Sequence, residues 1–355
     1  MSYTNGLDKP SDYFNTLLYT GNGSARSITG VGFQPDWIWV KSRTTTHQHV
    51  ISDSVRGTGK ELRSDTTDAE SSLGNITSFD SDGFSIGTRG EINNNTTSFV
   101  SWNWKAGTTT GIAGSPSITP SAYSFNSTSG FSIISYTGNN TNGATIPHGL
   151  GTAPAMIFFK NRDSAVKWVV YHHKNTSAPE TDHLVLDTDG ATSDDDSILN
   201  DTAPSSTLIT MKTSSSVNSA STNYIAYCFA EKKGFSKFTS FTGNGSSDGT
   251  FVYLGFRASF VIIKRTDTSA NWQMYDNKRD GFNGTGYPAK GNESLRPNQD
   301  HAESSATGYD IDICANGIKL RNTSSTMNSS GASHIVMAFA EFPFVTSTGI
   351  PTTAR

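Results

Sequence analysis

Residues 19–23 read YTGNG, and the same turn returns as YTGNN at 136–140 and FTGNG at 241–245. An aromatic-Thr-Gly-Asn stretch that recurs three times in one chain points to an internal repeat. Counting forward supports this. Tyr19 leads to PDWIWVKSR, Tyr136 to PAMIFFKNR and Phe241 to ASFVIIKRT, with Lys41, Lys160 and Lys264 lying 22, 24 and 23 residues beyond the aromatic. Twelve residues past each lysine stand Asp53, His172 and Asp276. A Leu and an Ala seven apart follow in each copy: Leu62/Ala69, Leu184/Ala191 and Leu295/Ala302. Each copy closes on an apolar run, FVSWNWKAG, YIAYCFAEKK or HIVMAFAEFP.

These spacings divide the chain into an N-terminal arm (1–12), unit 1 (13–107), a Ser/Thr/Gly/Pro linker (108–129), unit 2 (130–233), unit 3 (234–344) and a C-terminal tail (345–355). The linker predicts a freely placed first unit. The short AEKKGFSKF junction predicts a fixed orientation between the second and third. Within a unit, about seven short apolar runs are separated by Gly, Asn, Asp and Ser turns. That density predicts an all-β chain of three tandem antiparallel β-sandwich modules of jelly-roll or lectin-like type. The WIWV, MIFF and FVII segments are apolar at every position. Both faces of that strand are therefore expected to be buried, one in the sandwich and one under a loop, a neighbouring unit or another chain.

Composition narrows the function. Charged residues make up 16% of the 355, with a formal net charge of −4. No basic cluster supplies a nucleic-acid footprint, and no apolar run approaches the ~20 residues of a membrane helix. The first residues lack the apolar core of a signal peptide, and two cysteines, Cys228 and Cys314, build no disulfide framework. These features read as a protein made in a reducing cytoplasm.

The catalytic motifs fail one by one. Gly245-Ser-Ser247-Asp-Gly249 has the spacing of a nucleophile elbow, but a strand-like run follows where a helix is required. Gly57-Thr-Gly59-Lys60 has Ser54 and Glu61 where a phosphate loop needs a glycine and a hydroxyl. His47 and His49, or His172 and His173, come with no third zinc ligand. No carboxylate pair recurs in step as a glycosidase needs. The chain reads as non-enzymatic. It requires no cofactor on this reading; calcium is the ion that an acidic loop carrying Asp187, Asp189 and Asp194 would take.

Trp37, Trp39, Trp102 and Trp104 fall where the other units hold Met156, Phe158, Phe260, Ile262, Tyr227, Phe229, Met337 and Phe339, which marks packing slots. Trp168 and Trp272 sit beside turns and are the better candidates for exposure and binding. The stretch between Asp276 and Leu295 is longer than its counterparts and carries Lys278, Arg279, Phe282, Tyr287 and Lys290, a candidate contact loop.

FNTLLYTGNGSARSITGVGFQPDWIWVKSR, DSVRG, FDSDGFSIG and VSWNWKAG together resemble a domain of virion proteins from marine and cyanobacterial phages, sometimes labelled tail-fibre or concanavalin-lectin-like. The similarity is close over unit 1 and looser over units 2 and 3, where His172 replaces Asp53. It implies a β-sandwich displayed on the virion surface after assembly in a bacterial cytoplasm. The partners it implies are other capsid or tail proteins, further copies of the chain, and a host-surface glycan. A carbohydrate-binding adhesin is the alternative reading, and a capsule depolymerase the remotest.

Overall fold

The computed structural model describes residues 7–279, 294–303 and 308–352. It is an all-β chain in which every strand pairing is antiparallel. The sheets sort by sequence. In unit 1 the large sheet runs Phe14–Thr20, Ser98–Trp104, Trp37–Ser42, Val50–Asp53. Unit 3 repeats that order with Ser236–Thr242, Ser333–Pro343, Phe256–Arg265 and Gln273–Asp276. Unit 2 contains it within a wider sheet, as Phe131–Thr137, Asn223–Phe229, Met156–Asn161 and Val169–His172. Lys41, Lys160 and Lys264 thus all lie on the third strand of this series.

A smaller sheet covers one face of each large one. It is formed by Arg26–Thr29, Gly83–Ile86 and Ile76–Asp80 in unit 1, by Ala144–Pro147 with Leu208–Met211 in unit 2, and by Phe251–Tyr253, Gly317–Leu320 and Ile311–Cys314 in unit 3.

The recurring turn has a local cause. Gly21, Gly138 and Gly243 pack so closely on a neighbouring carbonyl that a Cβ would lie 2.2, 2.3 and 2.3 Å from the oxygens of Asn94, Ser219 and Ser329. The next residue's amide donates to a buried asparagine side chain. Asn22 N reaches Asn93 Oδ1, Asn139 N reaches Asn218 Oδ1 and Asn244 N reaches Asn328 Oδ1, at 3.0, 2.9 and 3.0 Å. Only glycine fits the first position, and the turn amide finds a partner away from water.

The two-faced strands explain the assembly. Ile38 and Val40 point into unit 1's own sandwich core, while Trp37 and Trp39 point the other way. Ile157/Phe159 and Met156/Phe158 divide in the same manner, as do Val261/Ile263 and Phe260/Ile262. The outward sets of all three units join in a single shared core. At its middle, three matched residues meet pairwise. Trp104 and Phe229 have ring centroids 6.4 Å apart, Phe229 and Phe339 6.0 Å, and Trp104 and Phe339 5.6 Å. Aromatic pairs at such distances stabilise by about 0.5–1.5 kcal/mol beyond the area they bury.

Unit 1 is therefore not freely placed, contrary to the expectation from the linker. Its aromatics share a core with both other units, and the 108–129 segment is itself ordered. Thr108 bridges to Phe125, Ala122–Asn126 joins unit 2's sheet, and Ile118 N donates to Thr145 O at 3.0 Å. The arm is also held, since Leu7 is buried in the shared core and Ser347 of the tail donates to Asp8.

Candidate functional site

The polar groups that recur between units lie at the three junctions of the shared core. Each buried lysine donates Nζ to a carbonyl of another unit's Leu-to-Ala loop: Lys41 to Asp300 O, Lys160 to Thr67 O and Lys264 to Asp189 O, at 3.0, 2.7 and 3.1 Å. Burial lowers all three ammonium groups to a pKa of about 8. Eight residues beyond each lysine a ring nitrogen repeats the crossing. His49 Nε2 donates to Arg296 O at 3.0 Å, Trp168 Nε1 to Arg63 O at 2.8 Å and Trp272 Nε1 to Val185 O at 2.9 Å. In His49, the other ring nitrogen accepts from Trp39 Nε1 at 2.8 Å, which fixes the tautomer. A third set runs the other way, from loop amide to strand-end carbonyl: Glu70 N to Arg162 O, Thr192 N to Thr266 O and Glu303 N to Arg43 O, at 2.8, 2.9 and 2.8 Å. Unit 2 thus grips unit 1's loop, unit 3 grips unit 2's and unit 1 grips unit 3's, which closes a ring.

A further set of matched positions carries ion pairs at two junctions and neutral side chains at the third. Glu70 lies between Arg56 of its own unit and Arg162 of the next, at 3.3 and 2.9 Å. Glu303 repeats this between Arg279 and Arg43, at 3.3 and 2.6 Å. Behind them Asp53 pairs with Arg56 and accepts from Tyr227 Oη at 2.6 Å; Asp276 pairs with Arg279 and accepts from Trp102 Nε1 at 3.0 Å. Burial alone would lower the Arg56 pKa, but Asp53, Tyr227 and Glu70 together outweigh it and the net shift is upward. Burial would raise Glu70, yet Arg162 and Arg56 hold it below the usual range. At the junction of units 2 and 3 the same positions carry His172, Asn175, Thr192 and Thr266. His172 Nε2 donates to Val336 O at 3.3 Å, and Thr192 Oγ1 to Asn175 Oδ1 at 2.8 Å.

Several expected site residues are corrected by this geometry. Trp168 and Trp272 are fully buried, because their indoles cross the junctions and leave nothing to stack on a ligand. Arg279 is buried in its ion pair with Asp276, while Lys278 is exposed. Phe282, Tyr287 and Lys290 lie outside the described residues. Asp187 accepts from Trp168 N at 2.6 Å, and burial raises its pKa. Asp189 contributes its backbone carbonyl to Lys264, and Asp194 is exposed on a two-residue strand opposite Asp182. Among the described residues no three His, Cys, Asp or Glu side chains are grouped to hold a metal ion, and no helix is long and apolar enough to cross a membrane.

Two surface features were not read from the sequence. Phe251 and Tyr253 are 42% and 54% exposed on the edge strand of unit 3's smaller sheet, with Val252 between them turned inward. The matching residues of unit 1, set by the Ile28–Phe84 and Val252–Ile318 pairings, are Ser27 and Thr29. Alternation along a strand puts both aromatics on one face. The second feature is a cavity of about 180 Å³ between units 1 and 3, lined by Phe14, Thr16, Asn277, Lys278, Glu341 and Phe342 among others. The alternation around Val252 was a legible signal for the aromatic pair. The cavity depends on residues more than 200 positions apart.

Comparison with curated proteins and with solved structures returns no match. The chain belongs to the family described as a domain of unknown function, DUF7483, whose match runs over residues 9–343 and so spans all three units.

Proposed function

We propose that the chain is a non-enzymatic virion structural protein, carried on the surface of a phage particle as a tail fibre, tail appendage or capsid decoration and acting through protein–protein packing. The observation that supports this reading is the use made of the potentially reactive groups. The three lysines, His49, His172 and His173 are all spent on backbone carbonyls at unit junctions. Burial in an apolar core raises the Cys228 thiol pKa, and a protonated thiol is a poor nucleophile. What remains is a braced body whose outer sheets are free for display. The test is gold-labelled antibody against the chain, applied to particles of a phage that encodes it. Decoration at a regular position on the capsid or tail is expected; label confined to lysate and absent from purified particles overturns the reading.

A second reading, a carbohydrate-binding adhesin module, is favoured by the outward aromatic pair Phe251 and Tyr253. A glycan array probed with the recombinant chain separates the two.

A further inference from the structure

The smaller sheets of units 2 and 3 carry matched edge strands, and in unit 2 that edge is occupied. Ile146 and Val252 correspond, because each pairs with a core residue of the next strand, Ile209 or Ile318. The bonds around them repeat. His148 N donates to Thr207 O as Leu254 N donates to Asn316 O, and Gly143 N donates to Met211 O as Gly249 N donates to Leu320 O. Thr145 therefore matches Phe251, and Pro147 matches Tyr253.

In unit 2 the occupant is a piece of the 108–129 segment. Ile118 N donates to Thr145 O at 3.0 Å, Thr145 N to Ser117 Oγ at 2.8 Å, and Ser117 N to Thr145 Oγ1 at 2.9 Å. A Cβ on Gly114 would stand 3.6 Å from Pro147. Ile118 is buried in the same core as Tyr136. In unit 3 the matched edge is open. Leu254 N and Thr250 O bond inward to Asn316 and Leu320, so the alternation of an antiparallel pair turns the N–H and C=O of Phe251 and Tyr253 outward. Their side chains are exposed where Pro147 is buried, and Phe241, the counterpart of Tyr136, is only half-buried. The unit 1 edge carries Arg26, and a charge blunts an edge against pairing. The unit 3 edge, GTFVYLG at 249–255, carries none.

We propose that the Phe251–Tyr253 edge binds a polypeptide segment of a partner protein, laid along it as 114–118 is laid along unit 2. This rests on the reading of the chain as one that acts through protein–protein packing, and it names the contact. The segment is uncharged and rich in Ser and Thr, with a β-branched apolar residue where Ile118 stands. Its backbone meets the outward N–H and C=O of Phe251, and its side chains pack against the two exposed rings.

The experiment uses the full chain and a blocked synthetic peptide, GSPSITPS, the sequence of residues 114–121. Residue-resolved amide hydrogen exchange should slow at Phe251 at least about fivefold at saturating peptide. Phe251→Thr installs the residue unit 2 holds and keeps the N–H, so affinity should stay within about fivefold. Phe251→Pro removes only an outward N–H from the ladder, a change that an edge strand tolerates, and affinity should fall more than about tenfold. The exchange result stands on the unmodified chain even where Phe251→Pro fails to fold. Unchanged exchange at Phe251 overturns the site and leaves the packing reading to the labelling of particles. Equal losses in the Thr and Pro variants overturn it too, because the rings and not the backbone would then hold the ligand. A dimer in sedimentation that Phe251→Pro dissolves assigns the edge to a second copy and overturns the partner segment.

Discussion

Tyr227 of the second unit donates its phenol hydrogen to Asp53 of the first across 174 residues of sequence, at 2.6 Å. The same carboxylate holds the buried guanidinium of Arg56. One anion therefore serves an ion pair within a unit and a hydrogen bond between units.

Asp53→Ala should lower unfolding stability by about 3–5 kcal/mol, because it strands a buried cation and orphans a buried phenol. His172→Ala, at the matched neutral position, should cost about 1–3 kcal/mol, since it removes one neutral hydrogen bond and some packing. Urea midpoints of the two variants check this. Equal losses, or a larger loss for His172→Ala, contradict the assignment of charged and neutral junctions.

Stability should rise from pH 8 to about pH 10. The three junction lysines are desolvated to a pKa of about 8, against an ordinary 10.5. In that window the unfolded chain binds more protons than the folded one, so the slope of unfolding free energy with pH is positive. Above pH 10 the sign reverses. Burial raises the pKa of Tyr19, Tyr136, Tyr227 and Tyr275, so the folded state there keeps protons that the unfolded state releases. Isothermal urea titrations from pH 7 to 11 should show this maximum, and a steady decline from pH 8 onward would contradict it.

On the acid side, burial lowers His172 to about 3 and His148, His183 and His334 to about 4. These groups take up protons on unfolding below their ordinary 6.5, so they remove stability as pH falls from 6.5 towards 4. Asp65, raised by burial to about 6, acts in the opposite direction but is outnumbered. His334→Asn should flatten the decline between pH 6.5 and 4, read from melting temperature against pH.

The repeat and its aromatic slots were legible because matched residues stand at matched spacings. Lys41, Lys160 and Lys264 with Leu62, Leu184 and Leu295 mark the three copies, and WIWV announces two buried faces. Their purpose was not legible. Lys160 reaches Thr67 and Trp168 reaches Arg63, pairings 93 and 105 residues apart that no periodicity records. The tryptophans flanked by turns read as exposed because the neighbouring unit that covers them is far away in sequence. A Ser/Thr/Gly/Pro segment reads as flexible, yet 108–129 is pinned by Ile118 N on Thr145 O. The asparagines Asn93, Asn218 and Asn328, fully buried behind each repeated turn, were missed because a lone polar residue carries no pattern.

Replacing Phe251 and Tyr253 with the Ser and Thr that unit 1 holds at those positions should leave melting unchanged within about 0.5 kcal/mol, because both rings are outside the core. Glycan-array or host-cell binding that depends on this face should fall. Binding that persists in the double variant places adhesion elsewhere.

Three units close into one body through a shared core, and differential scanning calorimetry tests this closure most directly. A closed ring predicts a single transition whose calorimetric and van't Hoff enthalpies agree, and which moves as a whole in Asp53→Ala. Separate transitions, with unit 1 melting independently of units 2 and 3, would contradict it.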